Sequence, residues 1–262
     1  MARTGQHNVS QELAGRLDMG YVYGVEFAEL DLGDVREREV YKGQTNTLGF
    51  HGATILSKAS LLRPTLLRLE TSAAWYDGRR GERRIGGRMA VLATVMISGK
   101  PVTIATVHLE SHSTIEERAE QMATLLDGIE QYAPGVPVLI GGDFNPNTHA
   151  RDRDDWNTFQ MELERETPGR FANPVPFETF FDIAVEQGYE WENCNAEGTT
   201  TCLQPWHRKD KPLAKLDWFF SRGLQVSVPN IITAMNEEKN FPLSDHDMLS
   251  LDVEGYCEKK QP

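Results

Sequence analysis

The chain of 262 residues is long enough for one large domain or two small ones. Hydrophobic residues make up 39% of it and charged residues 25%, which excludes the disordered, fibrous and coiled-coil classes. Its formal charge of -12 argues against a protein that coats nucleic acid through bulk charge. A bound metal ion can still make the local charge positive at a site where a phosphate binds.

The cysteines and the termini bear on the compartment. Cys194, Cys202 and Cys257 are an odd number without a CxxC pair, which argues against a disulfide framework or a zinc ribbon. We expect free thiols, because a Cys194–Cys202 bridge would need an oxidising environment. Residues 1–6 lack the apolar core of a signal peptide, and no apolar run approaches the ~20 residues of a membrane span. We therefore expect a cytoplasmic monomer without a membrane span.

The first third of the chain predicts one helix and two strands. Apolar residues repeat every four positions from about Asn8 to Asp18, which indicates a helix. Residues 21–30 mix apolar and acidic side chains, and residues 31–39 indicate a charged turn. Residues 52–57 predict a buried strand, and residues 66–69 predict another.

The middle of the chain predicts a hairpin, a helix and a buried strand. Two β-branched runs, residues 88–97 and 102–109, flank the turn at residues 98–101. The following helix begins at a Thr114/Glu117 capping box, presents one apolar face through Ile129 and stops at Pro134-Gly135. Residues 136–140 then predict a buried strand that leads into Gly-Gly-Asp-Phe-Asn.

The last part of the chain alternates helices, a polar loop and short strands. Residues 154–166 and 176–187 indicate helices, and residues 193–211 a polar loop. The predicted strands span residues 216–221, 224–228, 231–234 and 248–253. Without a repeat or a linker, the simplest organisation is a single domain over residues 1–258 with a tail at 259–262. Hairpins mixed with helical crossovers favour packed sheets flanked by helices.

Polar side chains stand where four of the predicted strands end or begin. They are His108, Asp143, Asn145, Asp217, Asp245 and His246. Each alone has a structural explanation as a cap, a turn former or a solvated side chain, but their co-occurrence at four strand ends favours a site. Carboxylate and amide oxygens suit Mg²⁺ or Mn²⁺. An Asp beside imidazoles suits the activation of water and the orientation of phosphate oxygens.

Rival motifs fail on the sequence. It contains no GxSxG nucleophile elbow, no Walker A loop and no GxGxxG loop. His108 and His112 have the i, i+4 spacing of a helical zinc site, but His108 ends a β-type run and no Glu follows it directly. A serine or zinc hydrolase is therefore disfavoured.

Four segments resemble one family in order and approximate spacing. Val107–Ser111 (VHLES), Gly141–Asn145 (GGDFN), Leu216–Phe219 (LDWF) and Ser244–His246 (SDH) resemble the endonuclease/exonuclease/phosphatase superfamily in a bacterial-type form. The VHLES element is similar to the tyrosyl-DNA phosphodiesterase branch, and Gly52–Ser57 resembles the family's "GNAILS" strand. The resemblance covers nearly the whole chain.

This resemblance implies a four-layer α/β sandwich, in which two mixed sheets pack face to face with helices outside. It also implies Mg²⁺-dependent cleavage of a phosphoester by water. Asp143 matches the family's Asp that positions or deprotonates the water, and Asn145 the Asn that holds the water and the transition-state oxygens. Asp245 matches the metal-associated Asp.

The remaining matches concern the phosphate. His246 matches the family's phosphate-contacting His, and Asp217 the Asp that orients its ring and would stabilise its charged form. His108 matches a second donor on the phosphate side. These roles stabilise charge that develops on phosphate oxygens and direct an in-line water.

The resemblance starts late. The family begins with a strand–helix–strand unit that carries an Asn and a Gln-Glu pair, whose Glu is the principal metal ligand. Arg3-Thr4-Gly5 resembles the family segment just after that Glu, so we expect a missing unit of roughly 30 residues. Glu26 and Glu29 lie in a separate family segment and are not assigned this role. Either the start codon is assigned too late, so that the natural protein has further N-terminal residues that could include a targeting signal, or the protein is truly shortened. Because the remaining site residues match the family, we favour a start codon assigned too late.

Two further expectations concern substrate and rival functions. Arg79, Arg80, Arg83, Arg84 and Arg88 cluster in an acidic protein, and we interpret them as a solvated loop rather than a phosphate-steering patch. The acidic charge favours a small phosphodiester, a nucleotide or a lipid headgroup over genomic DNA. The alternative function is a catalytically impaired binding or regulatory protein that lacks the metal-ligand Glu.

Overall fold

The structure is a computed structural model that describes residues 1–69, 75–76, 78, 81–146, 156–204, 209 and 211–257. The chain forms two compact units, Met1–His108 and Leu109–Pro262. A single domain over residues 1–258 stays a prediction. None of the described helices is both long and apolar enough to cross a membrane.

The first unit contains two groups of antiparallel strands. In chain order its elements are a 3₁₀ helix (Ala2–Thr4), α1 (Val9–Leu17), β1 (Gly20–Glu29), α2 (Val35–Val40), β2 (Phe50–Ser57), β3 (Leu62–Arg68), β4 (Arg84–Gly86), β5 (Met89–Ile97) and β6 (Lys100–His108). Strand β1 lies between β2 and β4, and β5 lies between β3 and β6.

Apolar side chains of β2 and β5 form a core in this unit. Ile55 packs with Met89, Val91 and Ala93. At Gly24 of β1, a Cβ atom would lie 2.4 Å from Val91 Cγ2, so glycine lets the two strands approach closely.

The predicted helix and hairpin of this unit are confirmed. Helix α1 begins after Asn8, whose side chain accepts a hydrogen bond from the Gln11 N–H. The hairpin turn is tighter than predicted, because Ile97 pairs directly with Lys100. Ser98 and Gly99 both have positive φ, as a two-residue turn of type I′ requires.

Two expectations for the first unit need correction. The predicted charged turn contains α2, because Asp34 and Glu37 form a reciprocal capping box at its start. The predicted strand at residues 66–69 begins earlier, at Leu62, and ends at Arg68. The short strand β4 was not predicted.

The described residues of the second unit form three strand pairs and three α-helices. Its elements are α3 (Ile115–Tyr132), β7 (Val138–Asp143), α4 (Trp156–Glu166), 3₁₀ helices (Val175–Phe177 and Glu192–Cys194), α5 (Phe180–Glu186), β8 (Asp217–Arg222), β9 (Leu224–Ile232), β10 (Met235–Asn236), β11 (Phe241–Pro242) and β12 (Met248–Tyr256). β7 pairs with β8, β9 with β12, and β10 with β11, all antiparallel.

Aromatic side chains and the Arg118–Glu178 ion pair lie in the interior of this unit. Phe144 packs on Phe180 and Phe220, with ring centroids 5.8 and 4.9 Å away. Arg118 of α3 donates two hydrogen bonds to Glu178, at 3.0 and 2.5 Å, and both side chains are buried. This bidentate pair ties α3 to the residues before α5.

The capping box of α3 is confirmed, and the helix ends at Tyr132, just before Pro134-Gly135. The predicted helix at 176–187 divides into a 3₁₀ turn and α5. The start of the predicted helix at 154–166 lies outside the described residues. The cysteines at positions 194, 202 and 257 are free thiols.

The two strands predicted at 224–228 and 231–234 are one strand, β9. Ser227 pairs with Asp252 and Asn230 with Ser250, so β9 has one extra residue at Val228-Pro229. This bulge accommodates the proline, which has no N–H to donate to the ladder, without ending the strand. The short strands β10 and β11 were not predicted.

Candidate active site

Two carboxylates face each other across a strand pair. Asp143 ends β7, Asp217 begins β8, and the antiparallel register places these residues directly opposite. Gly141 makes this pairing tight, since a Cβ atom there would lie 2.6 Å from the Phe219 ring. Like charges directly opposite in a sheet repel, so the position favours a cation between or beside them.

His246 supplies positive charge at this position. Its Nδ1 lies 2.7 Å from Asp217 Oδ2, in the residues that lead into β12. Burial alone would lower the pKa of His246. The hydrogen bond to Asp217 and the negative charges of Asp143, Asp217 and Asp245 outweigh burial and raise the pKa to about 9. The ring is therefore an imidazolium at neutral pH, with Nε2–H left as a donor.

Asn145 braces the loop after β7. This residue is 5% exposed and has a φ of 48°, a conformation that Asn adopts more readily than most residues. Its backbone N–H donates to Asp143 Oδ1 at 2.9 Å, and its side-chain amide donates to the Leu109 carbonyl at 2.9 Å. Asn145 thus holds the Asp143 carboxylate in place.

The donor set fits a hard divalent cation. Within the part of the chain that the structure describes, the group able to hold an ion is Asp143, Asp217 and His246, with ligand atoms within 4.8 Å of one another. Because a charged imidazole has no free lone pair, the two carboxylates are the metal ligands of this group, and His246 is left to contact the phosphate. Mg²⁺ is usually bound by one or two carboxylates together with waters and substrate phosphate.

Asp245 takes a different place. Asp245 is exposed and does not belong to the group of Asp143, Asp217 and His246, although its negative charge helps to raise the pKa of His246. Its role as a metal ligand stays a prediction.

His108 lies in the first unit, at the end of β6, within a second polar cluster. Its Nδ1 is 3.3 Å from Glu26 Oε2 and 2.9 Å from Arg88 Nη1, and Arg88 Nη1 donates to Glu26 Oε1 at 2.5 Å. Burial alone would raise the pKa of Glu26, but its hydrogen bond to His108 and the charges of His108 and Arg88 lower the pKa to about 2. This cluster keeps a carboxylate ionised while buried.

Glu26 was not predicted as a partner of His108. Glu26 lies at the register shift between Val25 and Phe27 of β1, so the alternation along the strand does not predict its side-chain direction. The interpretation of the arginine cluster as a solvated loop is wrong for two members. Arg88 is 2% exposed and pairs with Glu26, while Arg84 pairs with Glu29 and Glu82. Arg79 and Arg80 lie outside the described residues.

Comparison with known proteins identifies the fold. No family model and no curated protein matches the chain. Among solved structures, a functionally unknown conserved protein from Enterococcus faecalis V583 matches 95% of this chain over 90% of its own, with 16% identity and a TM-score of 0.52. A Beutenbergia cavernae endonuclease/exonuclease/phosphatase matches 94% with 16% identity and a TM-score of 0.59, and this chain spans 57% of that protein.

A third similar structure is the mannosyl-6-phosphatase Bt3783 of Bacteroides thetaiotaomicron. It matches 93% of this chain over 80% of its own, with 13% identity and a TM-score of 0.55. The chain thus has the fold of the endonuclease/exonuclease/phosphatase proteins. This likeness confirms the mixed α/β sandwich class predicted from the sequence.

Proposed function

We propose that the protein is a divalent-metal-dependent hydrolase of phosphoesters, with its centre at Asp143, Asp217 and His246. One observation carries this proposal: two carboxylates stand directly opposite each other, and the ring of His246 lies 2.7 Å from one of them. Negative oxygens for a metal ion and a charged donor for a phosphate oxygen are the two elements that phosphoryl chemistry needs.

The side chains divide the work of hydrolysis. Asp143, braced by the Asn145 N–H, orients the attacking water and accepts its proton. Asp217 accepts from Nδ1 of His246, which fixes the ring and leaves Nε2–H to donate to a phosphate oxygen. A bound Mg²⁺ or Mn²⁺ would neutralise phosphate charge. We further propose Asp245 as a metal ligand and Asn145 as a contact to water and transition-state oxygens.

His108 is proposed as a second phosphate-side donor, on the resemblance of its VHLES segment. One of the similar structures is a mannosyl-6-phosphatase of Bacteroides thetaiotaomicron, and a phosphoester substrate for this chain is compatible with that similarity. The formal charge of -12 favours a small phosphodiester, a nucleotide or a lipid headgroup over genomic DNA.

Hydrolysis of bis(p-nitrophenyl) phosphate tests the proposal. We expect turnover with Mg²⁺ or Mn²⁺, none with EDTA, and a loss of roughly 10²-fold or more in Asp143→Asn and His246→Gln. Asp252→Asn, an exposed aspartate on β12, is the matched control and should keep the wild-type rate. Equal rates in all four proteins, or no turnover of any phosphoester, would overturn it.

The alternative, a binding or regulatory protein, has a separate readout. Calorimetric titration with Mg²⁺ distinguishes the two. A folded chain that binds no Mg²⁺ and hydrolyses no phosphoester supports the binding protein, whereas Mg²⁺ affinity lost in Asp143→Asn supports the hydrolase.

A further inference from the structure

We propose that Thr200 is a positioning residue that holds Asp217 and His246 at their hydrogen-bonding distance. This inference rests on the proposed function, because the pair it positions is the proposed centre. Thr200 lies in the polar loop that the sequence analysis left without a role. It is 0% exposed, although its neighbours in the chain are polar.

The side chain of Thr200 holds the Asp217 side of the pair. Its Oγ1 accepts hydrogen bonds from the backbone N–H groups of Leu216, at 2.9 Å, and of Asp217, at 3.1 Å. Both donors lie where β8 begins, and the Thr200 side chain is the acceptor for both N–H groups. A buried N–H without a partner is destabilising, so these bonds constrain where Asp217 stands.

The backbone of Thr200 holds the His246 side. Its carbonyl accepts from the Asp247 N–H at 2.8 Å, one residue beyond His246. On the other flank of His246, the Cys202 N–H donates to the Asp245 carbonyl at 2.8 Å. The residues on both sides of the histidine are therefore held by Thr200 and Cys202.

The Asp247 side chain reinforces this arrangement. Its Oδ1 accepts from Cys202 Sγ at 2.8 Å and from the Ala234 N–H at 2.7 Å. The Gln204 amide donates to the Ser244 carbonyl at 2.8 Å. These bonds hold the loop before β12 against the segment that contains Thr200.

Among these contacts, Thr200 is the residue that bonds both to Asp217 and to the neighbour of His246. Its hydroxyl reaches the residue that orients the imidazole, and its carbonyl reaches the neighbour of the imidazole itself. The 2.7 Å distance between His246 Nδ1 and Asp217 Oδ2 joins residues 29 positions apart in the chain. Displacement by one ångström at a reacting group can cost about 10²-fold in rate.

The test replaces the hydroxyl and nothing else. Thr200→Val keeps the shape but removes the acceptor of two N–H groups, and Thr200→Ser restores it. Thr201→Val is the matched control, because the Thr201 hydroxyl accepts from the Ala214 N–H at 2.8 Å rather than from Asp217.

With bis(p-nitrophenyl) phosphate and Mg²⁺, we expect kcat to fall roughly 10- to 100-fold in Thr200→Val with KM nearly unchanged. Thr200→Ser should recover most of kcat, and Thr201→Val should keep it. A folded Thr200→Val with wild-type kcat, beside an active wild-type protein, would overturn this inference and leave the proposed function intact.

Amide hydrogen exchange decides the question without turnover, also if Thr200→Val does not fold. In the wild-type protein we expect the Asp217 and Asp247 amides to open together, because one residue holds both. Protection factors that differ by more than about tenfold would overturn the inference. If wild-type protein hydrolyses nothing, the proposed function fails, while this exchange measurement still supports or overturns the role of Thr200.

Discussion

Asp217→Asn should weaken the preference of His246 for its charged form. The pKa of His246 is raised from 6.5 to about 9, which is a difference of about 2.5 pH units and about 3 kcal/mol of preference for the charged ring. Asp217 contributes the hydrogen bond and one of three carboxylate charges. Since Asn is neutral, we expect the pKa of His246 to fall by roughly 1 to 2 pH units.

Titration of ring resonances by NMR measures this directly. The chain has 7 histidines, so His246 is assigned by the signal that His246→Gln removes. We expect a wild-type midpoint near 9 and a clearly lower one in Asp217→Asn, with Asp252→Asn unchanged. A wild-type midpoint at or below 6.5, or the same high midpoint in Asp217→Asn, would refute the electrostatic account of the site.

Three stability measurements extend the account. His246 has a raised pKa in the folded state, so the stability that its charged ring contributes is complete below pH 6.5 and is lost towards pH 9. Over that pH range, urea unfolding should show that the wild-type protein loses about 2 kcal/mol more free energy of unfolding than His246→Gln. Glu26 has a lowered pKa, so its stabilisation is present above pH 4.5 and is lost towards pH 2. Glu26→Gln should cost about 3–5 kcal/mol at pH 7 and show a flatter acid profile. Arg118→Met should cost about 3–5 kcal/mol, and adding Glu178→Leu should recover most of it; a double variant no more stable than Arg118→Met would contradict the ion-pair explanation.

Local patterns predicted much of the fold. The Thr114/Glu117 capping box, the apolar face of α3 and the β-branched runs of β5 and β6 are short-range signals, and the structure contains all three elements. Helix α2 was missed although Asp34 and Glu37 have capping-box spacing, because charge dominated the interpretation of that stretch. Two strands were predicted at 224–228 and 231–234, but a bulge lets β9 continue through Pro229.

The candidate site was predictable in its members but not in its contacts. Asp143, Asp217 and His246 stand in motifs, whereas the register that places Asp143 opposite Asp217 depends on pairing across 74 positions of chain. Thr200 and Glu26 were missed for the same reason. A threonine in a polar loop and a glutamate in a strand both look exposed until distant partners bury them.

Hydrolysis in ¹⁸O-labelled water tests the central claim most directly. With bis(p-nitrophenyl) phosphate and Mg²⁺, mass spectrometry of the products shows which atom the water attacks. The account predicts one ¹⁸O in the p-nitrophenyl phosphate formed by the wild-type protein, none in the p-nitrophenol, and no labelled product above background with Asp143→Asn. Label in the p-nitrophenol, or equal labelled product with Asp143→Asn, would contradict a water attack on phosphorus directed by Asp143.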